Sequence, residues 1–315
     1  MQDDTEFWDF YWETRLQPME NLGKREAILA ASRLILQLSR QCGRPLRVLE
    51  PGCGEGQVVG TLVDGLAQYC AVQDVVGIDY LAQSIARCRR DFPGMQFWEG
   101  DFTDPALLGR LGQYDLLLLV NALHEVFSAG YSEELGEVDV PAAKQHVEQA
   151  LAGLVEKLVP GGWLLLFDGL EPPGDPSDEL QIRFLDRQVR DDFETFAREY
   201  VPFRITYRET GQPFSVELSR RDFTRYITKS IFLRKQLWQS ERKESYQYFT
   251  EAEFRSVYMR LGLKITQLRV LTMNDVKWRR QVEIVTPGVK FPHEHILIIA
   301  QRSVDGSGEM AFPAP

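Results

Sequence analysis

Short apolar runs recur through the first half of the chain, at 46–50 (LRVLE), 74–79 (DVVGID), 95–100 (MQFWEG), 115–120 (DLLLLV) and 163–168 (WLLLFD). Each is closed by a polar residue or a glycine, and each is followed by a stretch long enough for a helix. Strands so rich in Val, Leu and Ile are the kind buried on both faces, and their alternation with helices predicts a parallel sheet covered on both sides. Ahead of the first run, apolar residues recur at helical spacing, first Phe7, Tyr11, Leu16 and Met19 and then from Ala27 to Leu38. That spacing predicts a helical N-terminal region.

The alternation stops after Asp168, where Pro172, Pro173, Gly174 and Pro176 break the chain, and it resumes only at Leu263. The 94 residues from Gly169 to Gly262 far exceed the dozen or so that a crossover between parallel strands requires. Most of them must form an insertion, and their aromatic and charged composition reads as helical. Two last strand candidates, LKITQLRVL at 263–271 and HILIIAQ at 295–301, are placed to close an antiparallel edge. Just before 263, Thr250 followed by Glu253 forms the pattern of a capping box, with Gly262 as a stop signal.

A chain of 315 residues with 44% hydrophobic and 26% charged side chains is an ordinary globular protein, which excludes collagen, coiled coil and wholesale disorder. The balance of 36 basic against 46 acidic groups, net −10, disfavours non-specific nucleic-acid binding. Acids near the start and the lack of an apolar run of about 18 residues point to a cytoplasmic protein without a membrane span. Its cysteines, Cys42, Cys53, Cys70 and Cys88, contain no C-x-x-C pair and its histidines complete no zinc pattern, so the expectation is reduced thiols and no metal. His293 and His295, flanking Glu294, read as surface or strand-edge side chains.

VLEPGCGEGQVV at 48–59 leads straight from a strand into a helix. Gly52, Gly54 and Gly56 let a ligand lie against the main chain, and the helix that follows offers unpaired N–H groups. The spacing is not that of a nicotinamide site, and Glu50 at the strand end suits an ammonium better than a diphosphate. The second strand ends on Asp79, where a carboxylate can accept both hydroxyls of a ribose. The third ends in EGDF, so that Asp101 can accept an exocyclic amine and Phe102 can pack against a base. Together these features describe a pocket for an adenosine with a cationic amino-acid tail.

The E-P-G-C-G-E-G turn, the G-I-D-Y strand end and the E-G-D-F strand end resemble the successive motifs of class I S-adenosylmethionine-dependent methyltransferases. The resemblance covers about residues 45–170, with L-V-P-G-G at 158–162 matching the turn before the fifth strand. It implies a Rossmann-like, seven-stranded, mostly parallel α/β sheet with an antiparallel last strand, here carrying a helical lid insertion, and S-adenosylmethionine as cofactor. The parts are then an N-terminal helical cap (1–44), a cofactor-binding core (45–169), a helical lid (170–250), the completion of the sheet (251–302) and a flexible tail (303–315). The cofactor residues implied are Glu50, Gly52, Cys53, Gly54, Gly56, Asp79, Asp101, Phe102 and Asn121, with Tyr80 either stacking on adenine or simply packing.

Methyl transfer from a sulfonium chiefly needs alignment and a dry pocket, and a base only when the acceptor arrives protonated. VNALHEVFS at 120–128 puts His124 and Glu125 at the carboxyl edge of the sheet, where His124 is the candidate base or a pocket-shaping loop residue. Asp168, ending the fifth strand, either orients the acceptor or caps a helix. Within 219–243 eight cations face two acids, interleaved with Phe223, Tyr226, Phe232 and Trp238. An amphipathic lid helix accounts for that stretch; the sharper reading gives Arg220 and Arg221 to an anionic acceptor. The expected activity is methylation of a small-molecule acceptor in biosynthetic metabolism, with a homodimer left open. The alternatives are a methyltransferase of RNA or protein docking through 219–243, and a regulator that binds cofactor without turnover.

Overall fold

The structure, a computed structural model, describes residues 22–69, 71–175, 177–273 and 275–304. The expected helical stretch around Phe7, Tyr11, Leu16 and Met19 and most of the expected tail lie outside the described residues.

Helix α1 (Leu22–Cys42) precedes strand β1 (Leu46–Pro51), and four βα steps follow: α2 (Gln57–Leu66), β2 (Val72–Asp79), α3 (Ala82–Asp91), β3 (Gln96–Glu99), α4 (Pro105–Gly109), β4 (Tyr114–Val120) and α5 (Leu123–Ser128). A small hairpin, β5 (Tyr131–Ser132) and β6 (Glu137–Val138), leads to α6 (Val140–Val155) and the long β7 (Leu158–Gly169). After the insertion, α10 (Glu251–Arg260) feeds β11 (Leu263–Leu271), and β13 (His295–Arg302) ends the described fold. The main sheet has the order β11-β13-β7-β4-β1-β2-β3. Its pairings are parallel except those of β13, which runs antiparallel to both β7 and β11. The predicted seven-stranded, mostly parallel sheet with an antiparallel last strand is therefore present, and its strands fall within a few residues of the apolar runs.

Alternation along single strands shows why this sheet needs two covers. All seven residues of β4 are buried, but they serve different cores. Leu117 and Leu119 join α5, α6 and α10, whereas Leu116 and Leu118 join α1, α2 and α3. Polar side chains fix the helix starts: Asp104, Asp139 and Asp186 each accept from a first-turn N–H, and Thr250 with Glu253 closes the predicted capping box of α10. The L-V-P-G-G segment, expected as a turn before a strand, instead lies inside β7 as an irregularity: Tyr114 of β4 faces Leu158 while Leu116 already faces Trp163.

The insertion departs from the mostly helical expectation. It contains β8 (Glu179–Phe184), α7 (Arg187–Glu199), β9 (Tyr207–Glu209), β10 (Ser215–Ser219), α8 (Arg220–Lys229) and the short α9 (Trp238–Glu241). Beyond β11, α11 (Asp275–Trp278) and β12 (Val282–Ile284) return to it, giving an antiparallel sheet of order β12-β8-β10-β9. Residues expected only to complete the main sheet thus also build the cap. The inward row Leu180, Ile182, Phe184, Val216, Leu218 and Val282 is almost fully buried against Phe193, Phe196, Phe223 and Tyr226. The period-2 pattern of ELQIRF and SVELS was the available signal for these strands, masked by the charged residues that alternate with the apolar ones. Cap and sheet share one continuous core on the α6 and α10 side.

Candidate active site

The carboxyl edge of the sheet collects the ends of β1, β2, β3, β4 and β7 with the start of β13, because the antiparallel strand enters where β7 leaves, His295 opposite Gly169. Between β1 and α2 the glycine turn is drawn tight by Asp79. Its Oδ2 accepts from the Gly54 N–H at 2.8 Å and its Oδ1 from the Leu81 N–H at 2.9 Å. Gly52 has φ +67, and a side chain there would meet the Ala122 Cβ at 2.7 Å, so this position excludes any larger residue. At Gly54 an added Cβ would meet nothing within 4 Å: here the turn offers bare backbone to open space.

Glu50, buried beneath the turn, accepts from the Val59 N–H at 3.3 Å and so also serves the first turn of α2. Burial pushes its carboxyl up to about 8, against the pull of the Val59 N–H and of Lys24, and nearby Asp79 adds to the rise. A carboxyl held protonated in this way is one that a ligand ammonium would ionise. Asn121, where β4 leaves the sheet, adopts φ +54, and its Oδ1 is buried without a hydrogen-bond partner. A left-handed non-glycine residue and an unmatched buried acceptor together mark a place where a ligand donor fits.

The residues read in sequence as adenine-side lie together. Tyr80, Asp101 and Phe102 line a groove of about 1000 Å³. Asp101 is engaged locally, accepting from the N–H and hydroxyl of Thr103 at 2.7 Å each. Phe102 is buried, and Tyr80 is exposed. Glu125 lines this same groove. It therefore faces away from His124, since successive helical residues diverge by about 100°. Cys53 is buried with its thiol pushed well up by the hydrogen bond with Cys88 and by burial, which leaves it a packing residue rather than a nucleophile.

On the other side of β4 lies a buried polar cluster. His124 Nδ1 stands 2.7 Å from Asp168 Oδ1, while Asp168 Oδ2 accepts from the Leu123 N–H at 2.9 Å. Asp168 thus holds the His124 ring and caps α5, a helix start as in one of its two sequence readings. The outer nitrogen of His124, Nε2, is 3.8 Å from Glu244, and the ring packs on Tyr246 at 3.9 Å between centroids. Burial alone would push His124 down; the Asp168 carboxylate outweighs it and, with Glu244 and Glu125, raises the imidazole to about 9. At neutral pH this histidine is a cation.

His295, expected at a surface or strand edge, does begin β13 but is largely enclosed, its ring stacked on Phe167 at 5.3 Å. Burial, only partly opposed by Asp168, lowers it to about 4, so it is neutral. Sequence reading missed Glu244, Tyr246 and Lys229 here. They come from the insertion, and nothing in their spacing announces that the chain folds back over β7.

Four of the eight cations of the basic stretch are paired with acids. Arg221 pairs with Glu171 at 2.6 Å, Arg225 with Asp222 at 2.9 Å and Arg234 with Asp192 at 2.6 Å, and Lys229 is buried against Glu241. Arg221 lines a separate cap cavity of about 570 Å³ with Arg204, Arg225 and Ser219, and it does not stand with His124. Among the described residues no group of three His, Cys, Asp or Glu is placed to hold a metal, and no helix is long and apolar enough to cross a membrane.

Among solved structures the chain is similar to a Burkholderia thailandensis 1,6-didemethyltoxoflavin-N1-methyltransferase, at 12% identity over 88% of this chain and 78% of that one, TM-score 0.43. It is similar to magnesium protoporphyrin IX methyltransferase from Synechocystis, at 13% identity over 94% of each chain, TM-score 0.46. It is likewise similar to the N-methyltransferase NodS from Bradyrhizobium japonicum, at 11% identity over 89% and 87%, TM-score 0.42. No curated protein matches it in sequence. The family described as Methyltransferase domain matches residues 49–166, which begin inside β1 and end inside β7 and so take in the glycine turn, Asp79, Asn121 and His124. The segment that carries the motifs is the segment that matches: residues 49–166 of this chain are a methyltransferase domain.

Proposed function

We propose that the chain methylates a small molecule held between the carboxyl edge of the sheet and the cap, and that the methylated group is an acidic hydroxyl or enol. The observation that carries this reading is the enclosure of His124: it is 1% exposed, beneath the segment that carries Glu244 and Tyr246. An acceptor reaching it must fit inside the closed molecule, which suits a metabolite and not a broad macromolecular surface. Four of the eight 219–243 cations are taken up by acids, which leaves less free charge for an RNA backbone.

S-adenosylmethionine supplies the methyl group as an electrophile on sulfonium sulfur. For its binding we assign Glu50 to the ammonium, the backbone of Gly52, Cys53, Gly54 and Gly56 to the amino-acid tail, Asp79 to the ribose, and Asp101, Phe102 and Tyr80 to the adenine. The partnerless Oδ1 of Asn121 adds an acceptor at the same edge. Glu125, on the groove wall, belongs to this cofactor side.

His124 and Asp168 act on the acceptor. With its imidazole raised to about 9, His124 meets the acceptor hydroxyl as a cation. Because the ring is already protonated at neutral pH, the acceptor hydroxyl releases its proton to solvent on binding and sits as an oxyanion beside the imidazolium, nucleophilic without a strong external base, and the ring keeps its proton through the transfer. Arg220 and Arg221 are not assigned to the acceptor, since Arg221 is paired with Glu171 in a cavity apart from His124.

The test is to incubate the protein with methyl-labelled S-adenosylmethionine and a cell extract split into small-molecule, RNA and protein fractions, beside Asp79→Ala and His124→Gln. Label confined to the small-molecule fraction and lost in both variants is the expected result. Label in RNA or protein would sink the enclosed-acceptor reading.

A further inference from the structure

Lys229, the last residue of α8, is the most deeply buried cation of the cap. It is 0% exposed, with Nζ 2.7 Å from Glu241 Oε2 and 3.3 Å from Glu244 Oε2. Burying an ammonium is costly unless it is paired, and an apolar residue of similar volume would pack as well. The reaction proposed above makes no use of this lysine. Its contacts nevertheless lead directly to the site. Glu244 Oε2 also lies 3.8 Å from His124 Nε2, and the Tyr246 ring has Lys229 Nζ 3.9 Å from its centroid and the His124 ring at 3.9 Å. One ionic and one aromatic path thus run from the cap lysine to the nitrogen and the face of His124 that Asp168 leaves open.

We propose that Lys229 and Glu244 are positioning residues for His124: the lysine of the seated cap fixes Glu244 and Tyr246 against the imidazole, so that cap closure orders the histidine on the acceptor side. This rests on the reading of His124 given above.

The charged and titratable groups around His124 are Asp168 from β7, Glu244 and Tyr246 from the crossing segment, Lys229 from α8 and His295 from β13, with Glu125 of its own helix acting from the groove side. Tyr248 and Tyr258 lie around Asp168. Within this set Glu244 favours the charged ring, whereas Lys229 draws on the same carboxylate and restrains it. Removing the two must therefore move the titration of His124 in opposite directions, which a merely structural role would not do.

The experiment is ring-resonance titration of the full chain carrying isotope-labelled histidine. The chain has four histidines, and His124 is assigned by its loss in His124→Gln. Glu244→Gln is expected to move the His124 midpoint down by roughly one pH unit. Lys229→Met, made together with Glu241→Gln so that no unpaired charge is buried, is expected to move it up, and Lys229→Arg to leave it near the parent value. Midpoints that stay put in the first two variants, or move the same way, overturn the relay. The two proposals fail separately. Unmoved midpoints with activity lost in His124→Gln would remove the relay alone, whereas opposite shifts with full activity in His124→Gln would remove the catalytic reading alone.

Discussion

Asp168 holds His124 at 2.7 Å through Oδ1 while its other oxygen caps the helix on which that histidine sits, so one carboxylate fixes both the ring and its backbone. The pair makes a signed prediction. The imidazole rises from an ordinary 6.5 to about 9 in the folded chain. Its contribution to stability is therefore fully present below 6.5 and is lost as pH rises through 9. Asp168→Asn keeps an acceptor for the cap but no charge, and this slope should vanish from urea melts taken across that range. Asp168→Ala removes the cap as well and leaves His124 buried without its counter-charge; it should cost about 3–5 kcal/mol. A wild-type slope retained in Asp168→Asn would show that another group sets it.

Glu50 predicts a linkage of the same sign at lower pH, caused by burial of the carboxyl and not by a counter-charge. Its carboxyl is raised from an ordinary 4.5 to about 8, so the folded chain keeps a proton that the unfolded chain has released. Stability should therefore fall as pH rises from 4.5 to 8, and Glu50→Gln should lose this contribution, most visibly between 4.5 and 6.5 where His124 adds no slope, and be more stable at neutral pH. A cofactor ammonium favours the ionised form, so binding below pH 8 should release protons in the parent and fewer in the variant. Calorimetry in two buffers of different ionisation enthalpy counts them. Equal proton release in parent and variant would remove Glu50 from the ammonium site.

How much of this was legible in sequence follows from where each residue's partners lie. Glu50, Gly52, Gly54, Asp79 and Asp101 sit at the ends of apolar runs, and a parallel sheet brings consecutive strand ends together whatever the connecting helices do. That half of the site could be placed without coordinates. His124 was found for the same reason, but its charge was not, because Asp168 and Glu244 are 44 and 120 positions away in the chain. Glu125 was assigned to the acceptor side on chain adjacency, and helical rotation carries it to the groove. The cap was legible as an insertion and not as a sheet: β8, β9 and β10 are short and charged, and their fourth strand, β12, comes from beyond β11.

Asp79 should dominate cofactor affinity. It accepts from Gly54 and Leu81, and in the proposed complex it also receives the ribose. Losing charge-assisted bonds worth roughly 1.5–3 kcal/mol weakens binding by about 10- to 150-fold. Asp79→Asn, measured by equilibrium binding of S-adenosylhomocysteine, should fall in that range with the melting temperature little changed. A change below threefold would mean that the ribose is held elsewhere.

Gly169 tests whether the cap must close for transfer. A methyl group there would land on the carbonyl of Tyr246, which is backbone and cannot swing aside as a flexible side chain would. The segment it would displace is tied down where it crosses β7: the Ser245 N–H donates to Ser128 Oγ at 2.8 Å, and that hydroxyl donates to the His124 carbonyl at 2.7 Å. Gly169→Ala should lift Glu244 and Tyr246 off His124 while leaving the glycine turn, on the other side of β4, untouched. Cofactor affinity should then stay within about twofold, whereas kcat should fall by roughly 100-fold, the order expected when a reacting group is misplaced by about 1 Å. Amide exchange at residues 245–247 should quicken in the same variant. Fast exchange with undiminished kcat would show that the seated cap excludes solvent but does not order the histidine, and the enclosure of His124 would lose its claim on the chemistry.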